Sequence, residues 1–162
     1  MTMNLSFRTT PRPEDLATVR QIVASTTFFS PEEEDIAVEL VAEHLNRGIA
    51  SGYHFIFAES QGQTLGYSCY GPIPCTIHSF DLYWIAVHQQ HRGHGIGSQL
   101  ITLTESAIHD LHGTRVYAET SSRDQYTPTR TFYEHHGYTV DVIQNHFYAP
   151  NDHKVVYLKV LT

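Results

Sequence analysis

The sequence predicts an α/β (α+β) fold: a mixed, mostly antiparallel sheet with helices on both faces and a parallel strand-helix-strand unit at its centre. Three observations predict it. Helix-spaced and strand-spaced apolar patterns alternate along the chain. The pair "YHFIFAE" and "TLGYSCYG", joined by "SQGQ", reads as an antiparallel hairpin. The long apolar run "HSFDLYWIAV" leads through a glycine-rich turn into an amphipathic helix and then the strand "RVYAET", which requires a right-handed parallel crossover. With 162 residues, 41% of them hydrophobic and 17% charged, the composition is that of one globular domain spanning residues 1–162, without repeat or linker.

The elements follow in order. "LSFRTT" is a short first strand. A helix starts near Glu14, with Leu16, Val19, Ile22 and Val23 on its apolar face. In "SPEEEDIAVELVAEHLNRG", Ser30 is the N-cap, Pro31 opens the first turn, Glu33 completes a capping box and Gly48 stops the helix. After the hairpin, "HSFDLYWIAV" reads as a strand covered on both faces. The crossover helix presents Ile96, Leu100, Leu103, Ala107 and Leu111 to the core and ends at Gly113. "TPTRTFYEHHG" is a short helix with Thr127 as N-cap, Pro128 at its first position and Gly137 as terminator. The strands "YTVDVIQ" and "KVVYLKV" flank a loop, "FYAPNDH".

A net charge of -7 gives no global field for nucleic acid or for an anionic membrane, so neither is expected as a partner. Two cysteines, Cys69 and Cys75, are too few for a disulfide framework or a zinc site. Reduced thiols, no signal-peptide pattern at the N-terminus and no apolar run near 20 residues predict a cytoplasmic protein. Homodimerisation is compatible with the sequence.

The most informative stretch is "AVHQQHRGHGIGSQLI". Glycine permits close backbone approach and positive φ, and a helix N-terminus offers free N–H groups with a partial positive charge. Together they form a cradle for phosphate, to which Arg92 adds a fixed charge. Steric demands alone can also place glycines in such a turn. The P-loop is excluded, since no Gly-Lys-Ser/Thr follows. A dinucleotide fingerprint belongs in the first βα turn of a longer sheet.

Arg92-Gly93-His94-Gly95-Ile96-Gly97, directly after a strand ending "IAV", resembles the pyrophosphate-binding motif of the GNAT superfamily of N-acetyltransferases. "RTFYEHHGY" resembles that family's second signature, and the element order also agrees. The resemblance implies an acetyl-CoA cosubstrate and strands "IAV" and "RVYAET" splayed around it. Ile85, Ala86 and Val87 would face the pantetheine, and the amides from Arg92 through Gly93, His94, Gly95, Ile96 and Gly97 to Ser98 the pyrophosphate. It also implies that Tyr133 gives a proton to the departing thiolate, although a buried tyrosine is more often simply core. Tyr126 stands where many members carry an asparagine that contacts pantetheine.

Acetyl transfer to an amine requires removing an ammonium proton. Asp81 is the first candidate base, on the strand position where similar enzymes often carry a carboxylate; a solvated place at the sheet's rim is the alternative. Glu119, near the end of the partner strand, is the second, or a hydrogen-bond partner of the next loop. His88, His91 and His94 do not share one helix face, so no metal is expected. Neither cysteine has a neighbour that would activate it as a nucleophile. The expected function is transfer of an acetyl group to the primary amine of a small molecule, without a covalent enzyme intermediate. The acceptor would meet "TTFFSPEEED", "CYGPIP" and "FYAPNDH", whose aromatic and carboxylate groups suit a cation. A protein or peptide amine is the alternative acceptor, and a non-catalytic CoA-binding regulatory module the alternative role.

Overall fold

The computed structural model describes residues 2–162. Strands β1 (Ser6–Arg8), β2 (His54–Ser60), β3 (Gln63–Pro72), β4 (Ser79–Val87), β5 (Arg115–Ser121), β6 (Thr139–Ala149) and β7 (Asp152–Val160) alternate with helices α1 (Asp15–Ser25), α2 (Pro31–Arg47), α3 (Ile96–Asp110) and α4 (Thr127–His135). The strands form one sheet in the order β1-β2-β3-β4-β5-β7-β6. Every neighbouring pair is antiparallel except β4 and β5, the parallel pair joined by the α3 crossover.

The sheet separates two cores. On one face Val19, Ile22 and Val23 of α1 and Ala37 and Val41 of α2 pack on Phe55, Phe57, Tyr67, Cys69 and Ala86. On the other, Ile96, Leu100, Ile101 and Ile108 of α3 and Tyr133 of α4 pack on Ile56, Leu82, Val116, Ala118 and Tyr157. The first core draws only on β2–β4 and their helices, whereas the second crosses from β4 to β5 and β7. At the start of the chain, both terminal guanidinium nitrogens of Arg8 meet the buried Asp15 carboxylate at 2.8 Å, fixing β1 to the mouth of α1.

The N-terminus of α2 forms as its sequence requires. Ser30 Oγ accepts from the Glu33 N–H at 3.2 Å, and Glu33 Oε2 accepts from the Ser30 N–H at 2.7 Å. Elsewhere tertiary context prevails. The buried stripe of α3 is Ile96, Leu100, Ile101, Thr104 and Ile108, leaving Leu103 and Leu111 exposed. Thr104 holds a core position because its hydroxyl is satisfied twice, by the Leu100 carbonyl and Ser68 Oγ, both at 2.7 Å. The helix ends in a Schellman turn whose left-handed residue is His112 (φ 65°), not Gly113. Gly113 is needed instead for room, since a Cβ there would stand 2.4 Å from Ile108 and 2.7 Å from Phe80.

Thr127 is the first residue of α4 rather than its cap; the cap position falls to Tyr126, which closes a 3-10 turn over Asp124–Tyr126. The loop expected over residues 147–153 contracts to a turn at Pro150 and Asn151, because β6 runs on to Ala149 and β7 begins at Asp152. β4 is only partly covered: Tyr83, Trp84, Ile85 and Val87 are half-buried. The cause is an opening beside it.

Candidate functional site

β4 and β5 pair only at Ser79–Arg115, Phe80–Val116 and Asp81–Tyr117, yet β4 continues to Val87 and β5 to Ser121. Beyond the Asp81–Tyr117 rung the strands part. A bulge lies just past that point: Cys69 of β3 faces Trp84 and Tyr70 faces Leu82, so Tyr83 is an extra residue on β4. Bulges bend and twist the strand that carries them, and this one turns the last part of β4 away from β5. The result is a cavity of about 850 Å³, floored by Tyr83–Val87 on one side and Glu119–Ser121 on the other.

The phosphate-type loop closes one end. Arg92, Gly93, Gly95, Ile96, Gly97 and Ser98 line the cavity with Ile85, Ala86 and Val87; His94 is exposed and not among the lining residues. The alternate glycines do different things. Gly93 and Gly95 have φ of 81° and 76°, with Gly95 as the N-cap of α3, a backbone that side-chain-bearing residues rarely adopt. Gly97 has an ordinary φ, but its Cβ would come within 3.3 Å of Phe132, so it permits α3 to lie close to α4. The first-turn N–H groups of α3 have no acceptor within the helix and face this end of the cavity. Open space surrounds the Cα atoms of Gly93 and Gly95, with no atom within 4 Å of where a Cβ would stand. A diphosphate fits such a cradle.

Across the cavity runs the segment after α1. Phe28 is flanked by Arg92, whose guanidinium lies 5.4 Å from the ring centre, and by Tyr126, whose hydroxyl donates to the Phe28 carbonyl at 3.3 Å. Tyr126, at the expected asparagine position, is therefore spent on bridging this segment to the start of α4. Tyr133 lines the cavity from α4. It packs against Tyr138 and Tyr157 at 5.5 and 5.6 Å, and burial, then the neighbouring Tyr157, pushes its phenol well above the ordinary range. Its proton is thus held at neutral pH.

The two carboxylates occupy different positions. Glu119 lines the cavity, half-exposed, with Lys154 Nζ at 3.2 Å from its Oε2. Asp81 lies behind it at the last paired rung, and is not part of the lining. Burial raises the Asp81 carboxyl to about 6; Glu119 adds to the rise and Lys154 opposes it.

Of the three segments expected around the acceptor, two reach the cavity: Thr26, Phe28, Phe29, Ser30 and Glu33 from the first, Tyr148 and Asp152 from the last. "CYGPIP" does not, since Gly71 and Pro72 pair with Asp81 and Phe80 at the end of β4 remote from the opening. Trp84 and Arg123 also line the cavity and had no signal of their own in the sequence; the bulge at Tyr83 brings the first there and the β5–α4 loop the second. No group of three or more histidine, cysteine or acidic side chains is arranged for a metal ion among the described residues. Cys69 is buried, which pushes its thiol well up, and Cys75 is exposed. No helix among those residues is long and apolar enough to cross a membrane.

Known proteins share this architecture. The model of the acetyltransferase (GNAT) domain family matches residues 51–140. A crystal structure from Desulfovibrio desulfuricans, assigned as an acetyltransferase of the GNAT family, is 42% identical, with a TM-score of 0.96 over 98% of this chain and 100% of that one. An aminoglycoside 6'-N-acetyltransferase complexed with coenzyme A superposes with a TM-score of 0.77 at 20% identity, covering 98% of this chain and 97% of that one. The ribosomal-protein-S18-alanine N-acetyltransferase of Escherichia coli does so with a TM-score of 0.76 at 14% identity, covering 98% and 95%. At those identities the likeness is one of fold. No curated protein sequence matches this chain.

Proposed function

Because the chain belongs to the GNAT acetyltransferase family, we propose that it is one catalytic domain that moves an acetyl group from acetyl-CoA to the primary amine of a small cationic molecule. The amine attacks directly, without a covalent enzyme intermediate. The observation that carries this reading is the opening between β4 and β5, walled at one end by the glycine loop and lined at the other by aromatic and acidic side chains. Bound acetyl-CoA supplies the activated thioester.

The chain's own residues divide the remaining work. The backbone of Ile85, Ala86 and Val87, free of β5, offers ladder groups to an amide-bearing arm. The N–H groups at the start of α3 and the Arg92 guanidinium hold the phosphates. Phe29, Trp84 and Tyr148 supply aromatic rings that attract an ammonium group. Glu119 meets the acceptor, and Asp81 behind it, whose carboxyl burial raises to about 6, takes the ammonium proton. Tyr133 holds the proton that the leaving sulfur takes.

The deciding experiment exposes the purified protein to acetyl-CoA and an unbiased panel of amines, amino acids and peptides, reading thiol release. Acetylation of small cationic amines is the expected result. Preference for peptides would move the acceptor class to proteins, and thiol release without any acetylated product would replace catalysis by a CoA-binding regulatory role.

A further inference from the structure

The hairpin of β6 and β7 contains an irregularity that neither the cofactor groove nor the proton chemistry requires. The ladder runs through Gln144–Lys154 and resumes only at Ala149–Asp152, so Asn145, His146, Phe147 and Tyr148 stand opposite His153 alone. An insertion of this kind leaves backbone groups without ladder partners. Two imidazoles accept amides here, one from the bulge and one from the turn beyond it. The His146 N–H donates to His153 Nδ1 at 2.8 Å, and the Asn151 N–H donates to His146 Nδ1 at 2.9 Å. The rings meet edge to face at 4.8 Å, and His146 is itself left-handed, with φ 57°. His153 is anchored in turn on Ser122: its N–H donates to Ser122 Oγ and its carbonyl accepts from the Ser122 N–H, both at 2.9 Å.

The bulge has two outputs. Tyr148 joins the cavity lining, and Phe147 lies under the Lys154 ammonium at 4.1 Å, the ammonium that also meets Glu119. Both of its locks work in one charge state. A backbone N–H can only donate, so each Nδ1 must carry a lone pair and each ring its hydrogen on Nε2. Imidazole is the side chain that changes charge between pH 5 and 8, and the imidazolium form has no acceptor.

We propose that His146 and His153 are positioning residues for the acceptor: as neutral rings they hold the bulge that carries Tyr148 into the cavity and Phe147 under Lys154, and protonation releases both. This rests on the acetyltransferase reading. The charged groups around the hairpin do not compensate for protonation. Glu119 is paired with Lys154 and Asp152 with Arg123, while Glu33, the acidic side chain facing Tyr148 from α2, is tied to the Ser30 N–H. The proposal therefore predicts weaker acceptor binding at acid pH while acetyl-CoA binding holds.

Two measurements test it. Hydrogen exchange by NMR follows the His146 and Asn151 amides, corrected for the intrinsic pH dependence. Their protection should fall at least about tenfold from pH 8 to pH 5 in the wild type. In His146→Asn/His153→Asn, where each amide oxygen is a non-titrating acceptor at the Nδ1 position, protection should persist throughout. The single His153→Asn change serves if the double variant does not fold. With an acceptor from the amine panel, acceptor KM should rise at acid pH by about tenfold more in the wild type than in the asparagine variant, at unchanged acetyl-CoA affinity. Amide protection that ignores pH in the wild type, or KM profiles that coincide, overturn the proposal. If no amine is ever acetylated, the acetyltransferase reading fails, and the amide protection alone decides this one.

Discussion

Lys154 Nζ lies 3.2 Å from Glu119 Oε2 while opposing the rise that burial and Glu119 impose on Asp81. One ammonium thus settles two carboxylates: it engages Glu119 directly and keeps Asp81 from rising further. Asp81→Asn should cost about 10²–10⁴-fold in kcat/KM at neutral pH, and the loss should shrink at alkaline pH, where the amine deprotonates unaided. The wild-type rate should fall as pH drops through about 6, the value of the Asp81 carboxyl. A loss equal at every pH would make Asp81 a structural residue, and a pH-dependent loss in Glu119→Gln with Asp81→Asn silent would reverse the pair.

The same carboxyl has a stability signature. Its folded-state value lies above the ordinary 3.8, at about 6, so the folded chain binds more protons than the unfolded one between those values. Stability from this site is present below the lower value and lost as pH rises through the upper. Asp81→Asn should accordingly raise the Tm relative to wild type above pH 6, with the advantage vanishing at about pH 4. Thermal melts across that range check the sign.

Tyr133→Phe should lower turnover while leaving acetyl-CoA affinity nearly unchanged, since only the departing sulfur needs the hydroxyl. The ring's packing on Tyr138 and Tyr157 survives the change, so stability should move by less than about 1 kcal/mol. Steady-state kinetics beside a binding titration separates the two effects; wild-type turnover in the variant would return Tyr133 to the core.

Gly95→Ala should destabilise the apo protein by about 1–2 kcal/mol, because its φ of 76° suits glycine. Gly95→Asp should add a like charge beside the phosphates and abolish the thermal shift that acetyl-CoA produces. The difference between the two variants isolates charge from strain, and a shift surviving in Gly95→Asp would refute the cofactor assignment.

How much of this the sequence reveals depends on the range of the cause. The α2 cap was legible because Ser30, Pro31 and Glu33 act within one turn, and the glycine loop because backbone conformation at Gly93 and Gly95 is a property of the residue. The face of α3 was misjudged because Thr104 is admitted to the core by Ser68, 36 positions away in sequence. Thr127 has the chemistry of a cap, yet the 3-10 turn ahead of it puts Tyr126 in that place. Asp81 and Glu119 could both be named from strand position, but which one lines the cavity depends on where the β4–β5 ladder ends. The bulges at Tyr83 and at Asn145–Tyr148 arise from pairing with β3 and β7, which no local pattern encodes.

Tyr67 is fully buried among Phe55 and Phe57, and among the described residues its hydroxyl is the one buried side-chain polar atom without a hydrogen-bond partner. Tyr67→Phe removes that group without opening a cavity. Urea denaturation should show stability unchanged or raised by about 1 kcal/mol; a loss of that size would mean that the hydroxyl is satisfied in solution.

The parallel ladder that joins the two halves of the sheet is three rungs long. Hydrogen bonds therefore contribute little to holding β1–β4 against β5–β7, and the core beneath α1 and α2 contains no residue of the second half. Cohesion between the halves comes chiefly from side chains under α3 and α4, with the Tyr126 hydroxyl on the Phe28 carbonyl as a further bridge. The seam between the halves is thus where local opening is expected to begin in the empty protein. A ligand whose backbone-like arm bridges the gap would add ladder bonds across it, so that binding is read as protection of the seam from opening as well as a rise in melting temperature.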